Sequence, residues 1–267
     1  MIDRGKRNVL GVLIDEVDYE GAVERITSAA TSGRRCSCTA LAVHGVMTGV
    51  LDREQRYRLN ALDLVTPDGQ PVRWALNALH RSRLPDRVYG PNLMLAVCES
   101  AAAAGLPIYL FGSSTSVVEK LRQSLLERFP GLLVAGAEPS AFKRLGENER
   151  LALIRRIRGS GAAITFVGLG CPRQEVFAYE CASELSMPVI SVGAAFDYHA
   201  GVSKEPAPWI QRLGLQWAYR LAQDPRRLWK RYLGLNTMYV ALLALQLSRA
   251  WRPRATGAPP TEMLGYG

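Results

Sequence analysis

The stretch PIYLFGSSTSVVEKLRQSLLERF, residues 107–129, decides the fold. Its first part is a continuous apolar run that predicts a buried strand over 107–114, broken at Gly112. Its second part, residues 115–129, repeats apolar residues at helical spacing behind a Thr/Ser cap. A strand, a glycine turn and an amphipathic helix in this order predict one unit of a parallel sheet that is buried on both faces.

The same alternation continues on both sides of this unit. The predicted elements are strands at 132–136, 162–170, 187–198 and near 36–43 and 62–67, with helices at 150–161, 174–185 and about 45–60. This order predicts an α/β fold with a parallel sheet flanked by helices.

Four turns with polar or glycine residues fall at the predicted strand ends: 66–69, 112–114, 168–174 and 197–201. Ligands of open parallel sheets bind beyond the carboxyl ends of the strands, so we expect these turns to meet in one crevice. On pattern alone, Pro67-Asp68-Gly69 favours an ordinary turn, and Asp197 is equally a turn former or a functional group.

The turn GLGCPRQE carries more polar groups than a helix start requires. Arg173, Gln174 and Glu175 follow two glycines and a proline, which favours a binding role. The third position of a GxGxxG fingerprint is occupied by Arg173, so a nicotinamide-binding loop is not predicted. The helix starts after Gly112 and Gly170 still offer backbone N–H groups to a diphosphate.

Composition argues against a metalloprotein, a secreted protein and a membrane-spanning protein. The chain of 267 residues is 48% hydrophobic, with five cysteines and three histidines that show no zinc-ligand spacing. We therefore expect a reduced, cytoplasmic protein without a metal or other cofactor. The N-terminal apolar run is too short for a signal peptide, and the uncharged segment 234–248 is too short to span a membrane.

The net charge of +9 is concentrated near the C-terminal end, where residues 204–254 hold ten basic and two acidic side chains. We predict a catalytic domain over 1–203, a basic, Trp-rich helical appendage over 204–254 and a flexible tail over 255–267. The high charge leaves open a nucleic-acid-binding protein, but the chain has no helix-turn-helix, RNP or zinc pattern. No nucleic-acid partner is therefore expected.

Six blocks resemble the WecG/TagA/CpsF family of bacterial glycosyltransferases over about residues 37–235. In order, they are TPDG, RVYGPNLM, YLFGSS, FVGLGCPRQE, VGAAFDYHAG and APWIQRLGLQWAYRLAQDPRRLWKRY. The resemblance implies a Rossmann-like α/β fold and an inverting, metal-independent transfer of a sugar. The implied donor is a UDP-sugar, and the implied acceptor is a sugar linked by diphosphate to a polyprenyl lipid. Such steps build cell-surface polysaccharides at the cytoplasmic face of the membrane, where the enzyme is peripherally bound.

The resemblance also assigns roles to particular residues. Asp68 matches the candidate base, which would take the proton from the acceptor hydroxyl. Thr39, Arg87, Gln174 and Asp197 match positions that line the pocket, and the guanidinium of Arg87 suits a diphosphate.

The remaining predicted substrate-binding residues are Asn92, Gly112, Gly170, Arg173 and Glu175. The basic residues predicted to meet the lipid diphosphate and the membrane are Arg220, Arg226, Arg227, Lys230 and Arg231.

Three blocks depart from the family pattern. Asn92 stands where many members have Asp, Pro206 stands in place of Arg, and Gln216 stands in place of Glu. These changes leave open the choice of sugar and an alternative role as an inactive scaffold subunit of a polysaccharide assembly complex. A homo-oligomer is also left open.

Overall fold

The computed structural model describes residues 1–223 and 225–267, apart from the side chains of residues 227, 228 and 230–232. The strands are β1 (Asp3–Val9), β2 (Val12–Val17), β3 (Cys36–Leu41), β4 (Leu64–Pro67), β5 (Ile108–Gly112), β6 (Val134–Glu138), β7 (Ile164–Gly168) and β8 (Pro188–Ser191). Six of them form a parallel sheet in the order β4-β3-β8-β7-β5-β6, and β1 and β2 form an antiparallel hairpin. The predicted Rossmann-like sheet is therefore confirmed.

Helices cover both faces of this sheet. They are α1 (Tyr19–Thr31), α2 (Val43–Leu51), α3 (Arg53–Ala61), α4 (Gln70–His80), α5 (Gly90–Ala104), α6 (Thr115–Arg128), α7 (Glu147–Gly159), α8 (Arg173–Leu185), α9 (Ala195–His199), α10 (Pro208–Arg212), α11 (Gln216–Gln223) and α12 (Pro225–Leu247).

The two faces carry separate apolar cores. In β5, Ile108 and Leu110 pack with α1, α5 and α6, whereas Tyr109 and Phe111 pack on the opposite side with α7 and α8. Leu110 is fully buried, and burial of a side chain of this size contributes about 1.5–3 kcal/mol. Apolar residues on both faces explain why the strands read as continuous apolar runs.

The last strand is shorter than predicted. It ends at Ser191, and the residues up to His199 form α9 instead. Gly193 has a positive φ of 52°, which turns the chain, and Phe196 then packs its ring against Gly168. Asp197 therefore lies on a helix and not directly after a strand.

Two features of the N-terminal third differ from the predicted pattern. The helix expected over about 45–60 is divided at Asp52, whose carboxylate accepts hydrogen bonds from the Glu54 and Gln55 N–H groups and starts α3. The hairpin β1–β2 was missed because its two-residue turn, Leu10-Gly11, places a leucine at a positive φ of 55°.

The hairpin protects the edge of the sheet. On β2, Asp15 is buried and accepts a hydrogen bond of 2.7 Å from the Val65 N–H of edge strand β4. Edge strands expose unpaired N–H groups that invite pairing with another chain, and this carboxylate occupies one of them.

The C-terminal segments pack on the α/β fold. Tyr239 of α12 is buried in the core and donates to the Pro71 carbonyl at 3.1 Å. Residues 255–267 were expected to be flexible; here the Leu264 and Gly265 N–H groups donate to the Glu180 carboxylate at 2.7 and 3.0 Å. Within the described residues, no helix combines the length and apolar character needed to cross a bilayer.

Candidate active site

Asp68 lies where β4 ends. Its N–H donates to the Leu41 carbonyl at 3.2 Å, which ties the turn to the neighbouring strand. One carboxylate oxygen accepts a hydrogen bond of 2.8 Å from the N–H of Gly90, the first residue of α5. The helix start packs closely on β3, since an added Cβ on Gly90 would lie only 3.1 Å from the Ala40 Cβ. The carboxylate therefore lies against a helix N-terminus in the crevice.

Burial raises the pKa of Asp68 above its ordinary value of 3.8. The positive charge of Arg87, the Gly90 N–H and the charge of Arg220 oppose this shift. The residue as a whole is partly exposed. A reachable carboxylate with a raised pKa has the properties of a general base.

Arg87 links this turn to the appendage. It is 4% exposed, its guanidinium lies 4.2 Å from the ring centre of Tyr89, and it donates to the Asp68 carbonyl at 3.1 Å. It also donates to the side-chain oxygen of Gln211 at 2.8 Å and to that of Gln216. All three acceptors are uncharged, so the guanidinium keeps its positive charge for an anionic group.

Tyr19 lies beside Asp68 in the candidate site and was not predicted from the sequence. Its hydroxyl accepts a hydrogen bond of 2.9 Å from the Tyr89 N–H and is also hydrogen-bonded by the Asn92 side chain. Burial raises its pKa to about 12, and the nearby charge of Asp68 adds to the shift. No sequence signal marks Tyr19, since it lies in the first turn of an ordinary amphipathic helix.

A buried polar layer lies beneath the ends of the central strands. One oxygen of Glu175 accepts hydrogen bonds from the Thr39 hydroxyl at 3.0 Å and the Gln174 amide nitrogen at 2.9 Å. Burial raises the pKa of Glu175, although the Gln174, Thr39 and Cys171 side chains oppose the shift. Thr39 and Glu175 are 0% and 1% exposed, so both lie beneath the crevice, and Gln174 at 4% is the most exposed of the three.

Gln174 presents an acceptor toward the crevice. Its amide oxygen is buried without a hydrogen-bond partner among the described residues, and it lies 3.1 Å from the Cβ position of Gly193, just beyond β8. Because unpaired buried oxygens are costly, this atom is a candidate acceptor for a ligand hydroxyl.

The other half of the crevice is formed by glycines. Gly112 and Gly168 are paired at the ends of β5 and β7, and a Cβ on Gly112 would lie 2.7 Å from the Gly168 backbone. The chain leaves β5 toward α6 on one face and leaves β7 toward α8 on the other. Such a reversal of direction marks a ligand crevice in parallel sheets. Gly170 borders this crevice with a φ of 75°, and a Cβ added there would have no atom within 4 Å.

Asp197 lies beside this glycine pair and within range of the Arg220 charge. Burial raises the pKa of Asp197, whereas Arg220 and a hydrogen bond from the Ser113 side chain lower it. The Arg220 guanidinium lies 5.7 Å from the ring centre of Tyr198. Arg220 belongs to α11, so this arginine of the appendage reaches the crevice.

The remaining predicted residues lie elsewhere. Arg173 is exposed and its guanidinium lies 5.6 Å from the ring centre of Tyr266. Arg226 is exposed on α12. The side chains of Arg227, Lys230 and Arg231 lie outside the described part of the structure.

Metal ligands do not cluster in the described part of the chain, which contains no group of three or more His, Cys, Asp or Glu side chains suited to an ion. Comparison with models of known protein families gives a match over residues 7–253 to the family described as "Glycosyl transferase WecG/TagA/CpsF family". The matched range begins in β1 and extends beyond α12, so it includes every crevice residue described above.

Proposed function

We propose a specific reaction for this chain, which belongs to the WecG/TagA/CpsF family of glycosyl transferases. The family supports a glycosyltransferase of cell-surface polysaccharide biosynthesis that uses a sugar donor and a lipid-linked acceptor. In our proposal the donor is a UDP-sugar, the acceptor is a sugar on a polyprenyl diphosphate, and the transfer inverts the anomeric carbon.

The position of Asp68 is the observation that carries this proposal. Its carboxylate has a raised pKa and is fixed by the Gly90 N–H at 2.8 Å, and the residue is partly exposed. It takes the proton of the acceptor hydroxyl while that oxygen bonds to the anomeric carbon. The bond from this carbon to the UDP oxygen breaks on the opposite face, and UDP leaves with the electron pair.

The departing diphosphate needs positive charge. Arg220 supplies it, since its charge acts on both Asp68 and Asp197, and Asp197 lies beside the Gly112–Gly168 pair. The N-terminus of α6 beyond Gly112 adds backbone N–H groups, which favour phosphate oxygens. Together these groups would replace the divalent cation that many transferases use, and we propose that none is required.

The appendage is proposed to bring the enzyme to its acceptor at the cytoplasmic face of the membrane. Arg226 is exposed on α12, where a lipid head group could reach it. Arg227, Lys230 and Arg231 follow in sequence and would add to the same attraction. Each basic residue near an anionic membrane contributes on the order of 1 kcal/mol.

Release of UDP tests the reaction. The purified protein is given a panel of UDP-hexoses, UDP-N-acetylhexosamines and UDP-hexuronic acids in EDTA, each with a short polyprenyl-diphosphate-linked sugar. We expect turnover with one donor that depends on the acceptor and is lost in Asp68→Asn. No turnover across a broad panel would contradict the proposal and favour an inactive scaffold subunit.

A further inference from the structure

A second acidic site lies at the opposite edge of the sheet from Asp68. Glu138 is the last residue of β6, and it is paired in register with Phe111 of β5. We propose that Glu138 binds the ribose hydroxyls of the donor nucleotide, with the base in the cavity beside it. This inference rests on the proposed UDP-sugar donor and assigns the nucleoside end of that ligand.

The chain order around Glu138 is that of a nucleotide-binding unit. Strand β5 ends at Gly112, helix α6 begins at Thr115, and β6 follows and ends at Glu138. In parallel nucleotide-binding sheets, the diphosphate lies at the N-terminus of the first helix, and an acidic residue after the second strand binds the ribose hydroxyls. Because Glu138 holds that second position, its carboxylate is in place for the ribose.

A cavity of about 380 Å³ adjoins the carboxylate. Phe111, Pro139 and Leu145 give it apolar walls, and Glu138 and Arg156 lie on its polar side. Its size falls within the range of small-molecule sites, which combine apolar walls with a few polar groups. A nucleobase needs this combination, since its faces are apolar and its edges form hydrogen bonds.

The order of the strands matches the order of the donor's parts. From Gly193 beyond β8, the sheet continues through β7 and β5 to β6, with neighbouring strands about 4.8 Å apart. The sugar would lie beside Gln174, the diphosphate over Gly168 and Gly112, and the ribose at Glu138.

Hydrogen bonds fix the Glu138 carboxylate and leave it able to accept from a ligand hydroxyl. One oxygen accepts hydrogen bonds from the Tyr109 hydroxyl at 3.0 Å and the Arg156 Nε at 3.0 Å, and the other accepts from a terminal Arg156 nitrogen at 2.6 Å. A carboxylate has about four acceptor positions, so capacity remains for a ligand. The Glu138 side chain is 26% exposed, which leaves it reachable.

The competing explanation is structural. The ion pair between Glu138 and Arg156 ties α7 to β6, and it would exist without any ligand. This explanation predicts the same effect from losing either partner. The ribose role predicts that only Glu138 responds to the hydroxyl groups of the ligand.

Calorimetric affinities for UDP and 2′,3′-dideoxy-UDP separate these explanations. We expect the wild-type protein to lose roughly ten- to hundredfold in affinity for the dideoxy compound, as for hydrogen bonds to a charged group. In Glu138→Gln this ratio should fall several-fold, because hydrogen bonds to an uncharged amide are weaker than those to a carboxylate. Arg156→Gln should keep it, and so should Glu149→Gln, which removes another carboxylate from the wall of the same cavity.

Three outcomes overturn the proposal. Equal affinity of the wild-type protein for both nucleotides removes the ribose contact, and this measurement does not depend on the folding of a variant. An unchanged ratio in folded Glu138→Gln assigns the contact to another residue. Failure to bind UDP at all overturns this inference and the proposed donor together, whereas UDP binding without ribose discrimination leaves the donor standing.

Discussion

Asp68 and Glu175 are two carboxyl groups near the carboxyl ends of the parallel strands, and burial raises the pKa of both. Their surroundings differ. Asp68 keeps part of its surface exposed and lies near Arg87. Glu175 is 1% exposed and accepts hydrogen bonds from Thr39 and Gln174. The same electrostatic cause therefore acts on one carboxyl whose residue is partly exposed and on one that is enclosed by protein.

This contrast separates catalysis from positioning. A general base must reach the proton that it removes. A sealed carboxyl can act only through the side chains that it holds, here the Thr39 hydroxyl and the Gln174 amide. Replacing each acid by its amide keeps the shape and removes the ionised form, so the two substitutions should have different consequences.

The largest expected effect is that of Asp68→Asn. Loss of the base should lower kcat by about 10² to 10⁴-fold, measured as acceptor-dependent UDP release. The fold should persist, because a carboxyl whose pKa is raised on folding destabilises the protein as pH rises above its ordinary value of 3.8. The thermal midpoint at neutral pH should therefore be no lower than that of the wild type. Full activity would make Asp68 an ordinary turn residue.

Glu175→Leu should have the next largest effect. It leaves the Thr39 hydroxyl and the Gln174 amide without their acceptor in a buried layer, which costs about 1–3 kcal/mol in the free energy of unfolding. Urea denaturation measures the loss. Glu184→Leu on the same helix is the control, since its side chain is 35% exposed and should cost less. Equal losses would mean that the buried layer has no special role.

Glu175→Gln should change the rate only a few-fold. The amide resembles the protonated acid, which the raised pKa favours, and its oxygen can still accept from Thr39 and Gln174. The measurement is kcat and KM beside those of Asp68→Asn. A loss as large as that of Asp68→Asn would show that Glu175 acts as an ionised group and would remove the contrast.

The smallest expected effect is a pH shift in Gln216→Glu. The new carboxylate would pair with Arg87, whose charge lowers the pKa of Asp68. The Asp68 pKa should then rise further, and the rising limb of kcat/KM should move to higher pH. Gln223→Glu, at the end of the same helix, is the matched control and should leave the limb in place. If the rising limb of kcat/KM did not move in Gln216→Glu, the charge of Arg87 would have no effect on the pKa of the catalytic base.

Much of the fold could be predicted from local sequence. The continuous apolar runs and helical periodicities of residues 107–185 correspond to β5–α8, because a strand buried on both faces must be apolar along its length. The strand after them was extended too far, since its apolar continuation serves the packing of Phe196 on Gly168 and not the sheet. The hairpin was missed because Leu10 adopts a conformation that propensity assigns to glycine.

The candidate site was only partly predictable. Asp68, Arg87 and Asp197 were named from motifs, and the strand ends were expected to share an edge. Tyr19 was not named, because its role depends on α1 packing beside α5, which no local pattern encodes. The exposure of Arg173 beside buried Gln174 and Glu175 follows from the direction of each side chain on α8.

The sequence by itself determined the alternation of strands and helices, the concentration of charge near residues 204–254 and the residue types at each strand end. These follow from local periodicity and composition, which depend only on residues that are close together in the sequence. Only the tertiary structure decided which of two carboxyls is reachable, which charge faces Asp68 and which residue of α1 joins the crevice. Burial and electrostatics depend on distances in space, so residues 19, 68, 87 and 220 acquire their relation only when the sheet brings them together.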